Sequence, residues 1–202
     1  EAWKPAMNLR RVPAGESKGT RPIYKWPNKH SGSIFDLKPG TEYEIKLTLK
    51  DPDGGDAEKT VRAKTRPVPT VPPGAVIHEL PAGNHGRLDP VSGTAEKPSV
   101  YRSKDGGAVF EHVNLQGKKW VFLEGLTLKG KGKKYESVGV KMNGAEHCVI
   151  RRCKIEAVYC IIAYTPGATN CYIADNTITG TTPWTREAMG ANGKNVGEGI
   201  EV

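Results

Sequence analysis

Apolar and polar positions in the second half of the chain follow one uneven rhythm. In NCYIADNTITG (170–180), Cys171, Ile173, Asn176 and Ile178 are spaced two, three and two apart. HCVIRRCKIEA (147–157) repeats the spacing with Cys148, Ile150, Cys153 and Ile155, and WVFLEGLTLKG (120–130) with Val121, Leu123, Leu126 and Leu128. A strand alternates throughout and a helix repeats at three and four. This pattern alternates, skips one residue and alternates again. It predicts two short strands, each with two inward residues, and a corner between them. The copies begin 27 and 23 residues apart (147 − 120 and 170 − 147), a period typical of solenoids.

Leucine-rich repeats share that period but need a denser leucine consensus. Val, Ile, Thr and Tyr dominate here, which are strand residues. The predicted architecture is a parallel β-helix, each coil stacked on the last. A further strand per coil aligns GVKM (139–142) with GIEV (199–202), and CIIA (160–163) fits more loosely between them. Val140, Met142, Ile200 and Val202 then point inward, and Lys141 and Glu201 outward on equivalent positions. Asn176 takes the corner place of Leu126 and Cys153, where it either hydrogen-bonds the turn backbone or is a solvated turn residue. His147 opens a copy as a turn residue.

The first seventy residues have another grammar. In SIFDLKPGTEYEIKLTLKDPDGG (33–55) a Pro39-Gly40 turn precedes a strand alternating Tyr43, Ile45, Leu47 and Leu49. DPDGG is a turn, and KTVRAKTR (59–66) reads as the partner strand of a hairpin. A Tyr entering a strand just after a turn is the setting of a tyrosine corner. The LxPGTxY motif resembles the last strands of a fibronectin type III domain over about residues 33–66. Trp3, Leu9, Val12, Ile23 and Tyr24 become its core candidates. RPVPTVPPG (66–74) is proline-rich and reads as a semi-rigid linker. The expected fold class is all-β: a partial fibronectin type III β-sandwich (1–66), a linker (67–74) and the N-terminal coils of a right-handed parallel β-helix (75–202). The sandwich lacks its first third on this reading, and the last strand stops at Val202 with an open edge. The chain is therefore expected to be a fragment, truncated at both ends.

The 202 residues carry a formal net charge of +8. Residues 118–154 hold ten Lys or Arg against Glu124, Glu136 and Glu146. That basic stretch either meets a polyanion or is a solvated lysine-rich loop, KGKGKKY (129–135). Nucleic acid is not expected as the partner, because the loop has no interleaved aromatic residue beyond Tyr135. Cys148, Cys153 and Cys171 occupy inward positions and read as small buried hydrophobes. Cys148 and Cys171 are equivalent on successive coils, so a strained disulfide is the alternative there. Without a CxxC pair no structural zinc is expected. The longest apolar run, VYCIIAY (158–164), is too short to span a bilayer. No signal peptide is present in the sequence.

VIHELPAGNHGRLDPVSGTAEKPSVYRSKDGGAVFEH (76–112) offers a strand, a PxG turn, an SGT…KP segment and a strand with Tyr101-Arg102. With the later repeats, it resembles the entry coil of pectate-lyase-like β-helices over residues 74–202. The alginate and chondroitin lyases are the relatives nearest in kind. The pairing of modules resembles that of a secreted or cell-surface bacterial polysaccharide-active protein, a monomer at full length, whose partner is an acidic polysaccharide. The resemblance implies β-elimination at a uronic acid. A cation, either Ca²⁺ or Arg/Lys, neutralises the sugar carboxylate. A base takes the adjacent proton, and a donor protonates the leaving oxygen. No lyase catalytic motif is recognisable, so candidates rest on placement. Lys141 and Glu201 lie on the face where such enzymes place a cleft. The insertion TTPWTREAMGANGKNVGEG (181–199) adds Trp184 for sugar stacking, Arg186 and Lys194 for anions, and Glu187 and Glu198 for a metal or acid–base work. Lys141, Arg186, Lys194 and Glu201 are the catalytic candidates. Lys131, Lys133 and Lys134 are candidates for binding the glycan. A non-catalytic glycan- or protein-binding surface protein is the alternative. A glycoside hydrolase is a further one, for which Asp175 with Glu198 or Glu201 makes no obvious carboxylate pair.

Overall fold

The computed structural model describes residues 3–17, 23–103, 105–131, 137–164, 166–181 and 198–201. Every element in them is a strand. The chain divides into two units, Glu1–Val68 and Pro69–Val202.

In the first unit β1 (Arg10–Val12) pairs with β4 (Lys29–Ser31), β2 (Gly15–Glu16) with β3 (Lys25–Trp26), and β5 (Glu42–Leu49) with β6 (Ala57–Lys64), all antiparallel. The predicted hairpin is β5–β6, in register from Glu42↔Lys64 to Leu49↔Ala57. The Tyr43 hydroxyl accepts a hydrogen bond from the Lys38 N–H at 2.7 Å, the bond of a tyrosine corner. Gly40 supplies the positive φ (63°) of the preceding turn. The three ribbons are separate two-stranded sheets. Trp3, Leu9, Ile23 and Tyr24 are exposed, and none of this unit's described residues is buried. A two-stranded ribbon has one neighbour per strand and no second sheet to close a core over it.

The second unit is a parallel β-solenoid of about four turns. Its first face stacks β7 (Val76–Leu80), β9 (Ser99–Ser103), β11 (Val121–Glu124), β14 (Val149–Arg151) and β17 (Tyr172–Ala174). The second stacks β12 (Thr127–Lys129), β15 (Lys154–Ala157) and β18 (Thr177–Gly180). The third stacks β13 (Val138–Lys141), β16 (Tyr159–Ile162) and β19 (Glu198–Glu201). In the two upper rungs one strand serves both of these faces. There β8 (Gly83–Leu88) lies on β10 (Ala108–Asn114), which pairs with β12 through Phe110 and with β13 through Val113.

The register confirms the repeat. Phe122 pairs with Val149 and Val149 with Tyr172, steps of 27 and 23 (149 − 122 and 172 − 149). Val121, Leu123, Leu126, Leu128, Cys148, Ile150, Cys153 and Ile155 are all buried. The skipped residue is a left-handed corner: Gly125, Arg152 and Asp175 have φ of 63°, 55° and 57°. Three strands of the first face, β11, β14 and β17, are entered through another such residue, Trp120, His147 and Asn170, with φ of 54°, 53° and 54°. Left-handed backbone is unfavourable for non-glycine residues. At the entry corner it is offset by stacking of Trp120 on His147, with ring centroids 4.2 Å apart and planes within 2°. His147 is thus a turn residue.

Asn176 answers the choice left open by its place in the repeat. Its Oδ1 accepts from the Cys153 N–H and its Nδ2 donates to the Ile150 carbonyl, both at 2.9 Å. One amide satisfies the corner backbone of the rung above. Asn176→Ala strips both partners from that corner and is expected to cost about 1–3 kcal/mol, read as a lower urea midpoint. An unchanged midpoint would mean that water replaces the amide without loss.

The SGT…KP segment is a tight knot. Gly93 N–H donates to the Lys119 carbonyl at 2.9 Å, Thr94 N–H to the Lys97 carbonyl at 3.0 Å, and Ser99 N–H to the Trp120 carbonyl at 3.0 Å. A Cβ on Gly93 would lie 2.5 Å from the Lys97 oxygen and 2.6 Å from Pro98 Cα and Ser99 N. All three are backbone atoms, and this bonding pins them. Gly93→Ala is expected to cost about 2–3 kcal/mol. Gly86→Ala, where a Cβ meets nothing within 4 Å, should stay within about 0.5 kcal/mol. Equal losses in thermal unfolding would refute the packing argument.

Outward positions of the first face are also ordered. Val100, Phe122 and Val149 form a buried apolar column, covered by Val71 and Ala75 of the unit's first residues and by Tyr172. Beside it, Glu79, Arg102, Glu124 and Arg151 fall in register on successive rungs. Their charges alternate down the stack. Arg102 Nε donates to Glu79 at 2.6 Å and Arg151 Nε to Glu124 at 2.5 Å.

Candidate functional site

The third face carries the polar cluster, and β10 sets it up. Ala108, Phe110, Val113 and Leu115 repeat the two-three-two spacing of the later rungs, and all four are buried. Glu111 and His112 therefore fall at the corner. His112 pairs in register with Arg87 on β8, and Asn114 with Lys141 on β13.

The half-buried His112 is held by one bond, Nδ1 to the Val138 carbonyl at 2.8 Å. A carbonyl only accepts, so Nδ1 carries the hydrogen and Nε2 keeps its lone pair in the neutral ring. Burial lowers the imidazole below its ordinary value. The Val138 bond opposes this, the Arg87 and Lys141 charges add to the lowering, and Asp89 opposes it again. The ring is accordingly a neutral base at pH 7.

Asp89 organises the cations around it. Arg87 Nη2 donates to Oδ1 at 2.9 Å and Nε lies 2.6 Å from Oδ2. Asn114 Nδ2 also donates to Oδ1, at 2.9 Å. The Arg87 bond first and the Asn114 bond second hold the carboxyl below the usual carboxylate range, and Lys118 adds a favourable charge. Lys141, half-buried at the end of β13, has no ion-pair partner among the described residues. A neutral imidazole with two basic side chains and an amide donor beside it can take a proton next to a bound anion.

The sequence candidates divide. Lys141 belongs to this cluster. Glu201 is at its equivalent position, but Ile162 lies between them in register. Two rungs put them roughly 10 Å apart along the stack. Ile162 is itself buried in an apolar cluster with Val158 and Tyr159, so it interrupts the polar column. The backbone of Glu198 pairs with Tyr159. Lys131 lies on Glu111, 3.3 Å away. Asp175 is a corner residue between β17 and β18, away from the face that carries β19. Lys133, Lys134, Trp184, Arg186, Glu187 and Lys194 lie outside the described residues. In sequence these two stretches fall between β12 and β13 and between β18 and β19.

The resemblance implies Ca²⁺, which needs clustered oxygens. Among the described residues no three His, Cys, Asp or Glu side chains are grouped to hold a metal, and Arg87 and Asn114 engage Asp89. The described residues therefore do not fit the ion, and the side chains of the metal candidates Glu187 and Glu198 lie outside them. Arg87, Asp89, His112 and Asn114 escaped the sequence reading. The spacing at 108–115 was the signal that would have placed His112. None of the described residues forms a helix long and apolar enough to cross a membrane. Compared with known proteins, the chain matches no family model, no curated protein and no solved structure.

Proposed function

We propose that the protein is a polysaccharide lyase that cleaves an acidic, uronate-containing glycan by β-elimination at the His112 cluster. The observation that carries this reading is a neutral-biased imidazole with its Nδ1 fixed, flanked by Arg87, Lys141 and Asn114. Arg87 has N–H donors beyond those spent on Asp89. With Asn114 it receives the uronate carboxylate, and neutralising that group acidifies the adjacent C–H. His112 Nε2 removes the proton. The C–H electrons become the new carbon–carbon double bond as the bond to the glycosidic oxygen breaks. The Lys141 ammonium gives that oxygen its proton. Lys131, Lys133 and Lys134 remain the glycan-binding candidates with Trp184, and Arg186 and Lys194 remain catalytic candidates on sequence grounds alone.

In the same reading the first unit is the C-terminal part of a fibronectin type III-like module, supported by its Tyr43 corner, and the solenoid is right-handed and pectate-lyase-like. The protein acts outside the cell, at or beyond the bacterial surface.

The test is incubation with alginate, pectate and chondroitin sulfate, with and without Ca²⁺ or EDTA, following ultraviolet absorbance of unsaturated uronate. A rise supports the lyase, and loss of the rise in EDTA assigns a metal to it. New reducing ends without that absorbance mean a hydrolase. Neither signal, with retention on an acidic-glycan column, means a binding protein. The +8 net charge favours that second reading.

A further inference from the structure

We propose that Cys148 and Cys171 are a reversible thiol–disulfide pair, a redox-modified site that links the fourth and fifth rungs of the solenoid. The inference is independent of the lyase reading. The two residues immediately precede Val149 and Tyr172, which are register partners on β14 and β17. The Tyr172 N–H donates to the Cys148 carbonyl at 2.9 Å. Both side chains face the core column that Val121 begins. Neighbouring strands put the two Cα atoms about 4.8 Å apart, inside the window of about 4.4–6.8 Å that a disulfide requires.

The thiols face each other. Cys148 Sγ donates toward the Lys118 and Glu146 carbonyls at 3.5 Å, and Cys171 Sγ toward Ala145 at 3.6 Å and Thr169 at 3.5 Å. The interaction with Cys171 first, and burial second, push the Cys148 thiol far above its ordinary value. None of the four cysteines is in a disulfide in the structure.

The other two cysteines lack such a neighbour. Cys153 stands in the corner column between Leu126 and Asn176, to which its own N–H is bonded. Cys160 precedes Ile161, whose register partners are Val140 and Ile200. One pair out of four thiols is therefore singled out by the stacking.

The chemistry proceeds by exchange. Cys148 is fully buried and Cys171 partly exposed, so the Cys171 thiolate meets the oxidant first. It attacks an external disulfide such as oxidised glutathione, forming a mixed disulfide and releasing one glutathione thiolate. The Cys148 thiolate then displaces the second. Two S–H bonds are lost, one S–S bond forms, and the electron pair and both protons end on two glutathione molecules. In-register Cβ atoms on parallel strands stand near the strand spacing, wider than the roughly 3.8 Å of a relaxed disulfide. The bond draws the rungs together and is strained, which makes it readily reduced. With Cys148 so reluctant to ionise, closure quickens as the pH rises.

The experiment treats the whole protein under native conditions with oxidised glutathione at pH 7 and pH 9. Remaining thiols are then alkylated, and the non-reduced digest is read by mass spectrometry. The expected product joins the peptides holding Cys148 and Cys171, two hydrogen masses below their sum. It should form faster at pH 9 and disappear with dithiothreitol, while Cys153 and Cys160 stay alkylated. Four alkylated cysteines would overturn the proposal, as would a glutathione adduct that persists on Cys171 or a link through Cys153 or Cys160.

Discussion

Arg151→Ala is expected to destabilise the solenoid by about 3–5 kcal/mol. The side chains of Arg151 and Glu124 are 10% and 14% exposed, so removing the guanidinium leaves a carboxylate with little water to solvate it. Arg151 also donates from Nη1 to the Pro69 carbonyl at 2.7 Å. The loss therefore frees the strand-covering segment that keeps Val100, Phe122 and Val149 out of solvent. Arg102, on the other side of Glu124 in register, softens the loss and favours the lower end of the range. Replacing the pair together, Arg151→Met with Glu124→Leu, removes both desolvation costs. It should recover most of the stability, because an apolar pair of similar volume often does as well as a buried ion pair. Urea unfolding of Arg151→Met, Glu124→Leu and the double variant closes the cycle, with Arg151→Ala measured beside them. If Arg151→Ala costs under about 1 kcal/mol, the pair behaves as an exposed one and its burial is not what holds the segment.

His112→Gln should slow uronate elimination about a hundredfold or more, with the fold retained because glutamine can still donate to the Val138 carbonyl. The pH dependence carries the sharper expectation. Burial lowers the folded-state pKa of His112, and the neutral form is the base. The rate should therefore rise with pH and level off below the ordinary histidine value of about 6.5. The glutamine variant should lose that limb. Stability follows the same shift. Below about pH 6.5 the unfolded chain binds a proton that the folded ring refuses. Stability thus falls as the pH drops through that window, and His112→Gln should flatten the fall. A rate limb that survives in the variant would move the base elsewhere, and Lys141 would be the next residue to replace.

What the sequence alone determined was local. The inward set from Val121 to Ile178 is dictated by a spacing of two, three and two. That spacing has one physical origin, alternation on two strands with a left-handed residue between them. The 27- and 23-residue steps follow directly, as does the β5–β6 hairpin, whose turn and alternation lie within one stretch. Only the tertiary structure decided which outward residues meet. Asp89, Asn114 and Lys141 are about one turn apart in sequence, and loop lengths outside the strands set their alignment. The same holds for the alternating charges of Glu79, Arg102, Glu124 and Arg151, which look unremarkable until the rungs are stacked. Ile162, outward yet buried, separates Lys141 from Glu201 although the two strands read alike. Inward positions answer to the period of the backbone, which the chain carries within itself. Outward positions answer to neighbours that arrive from other turns, and no local pattern records them.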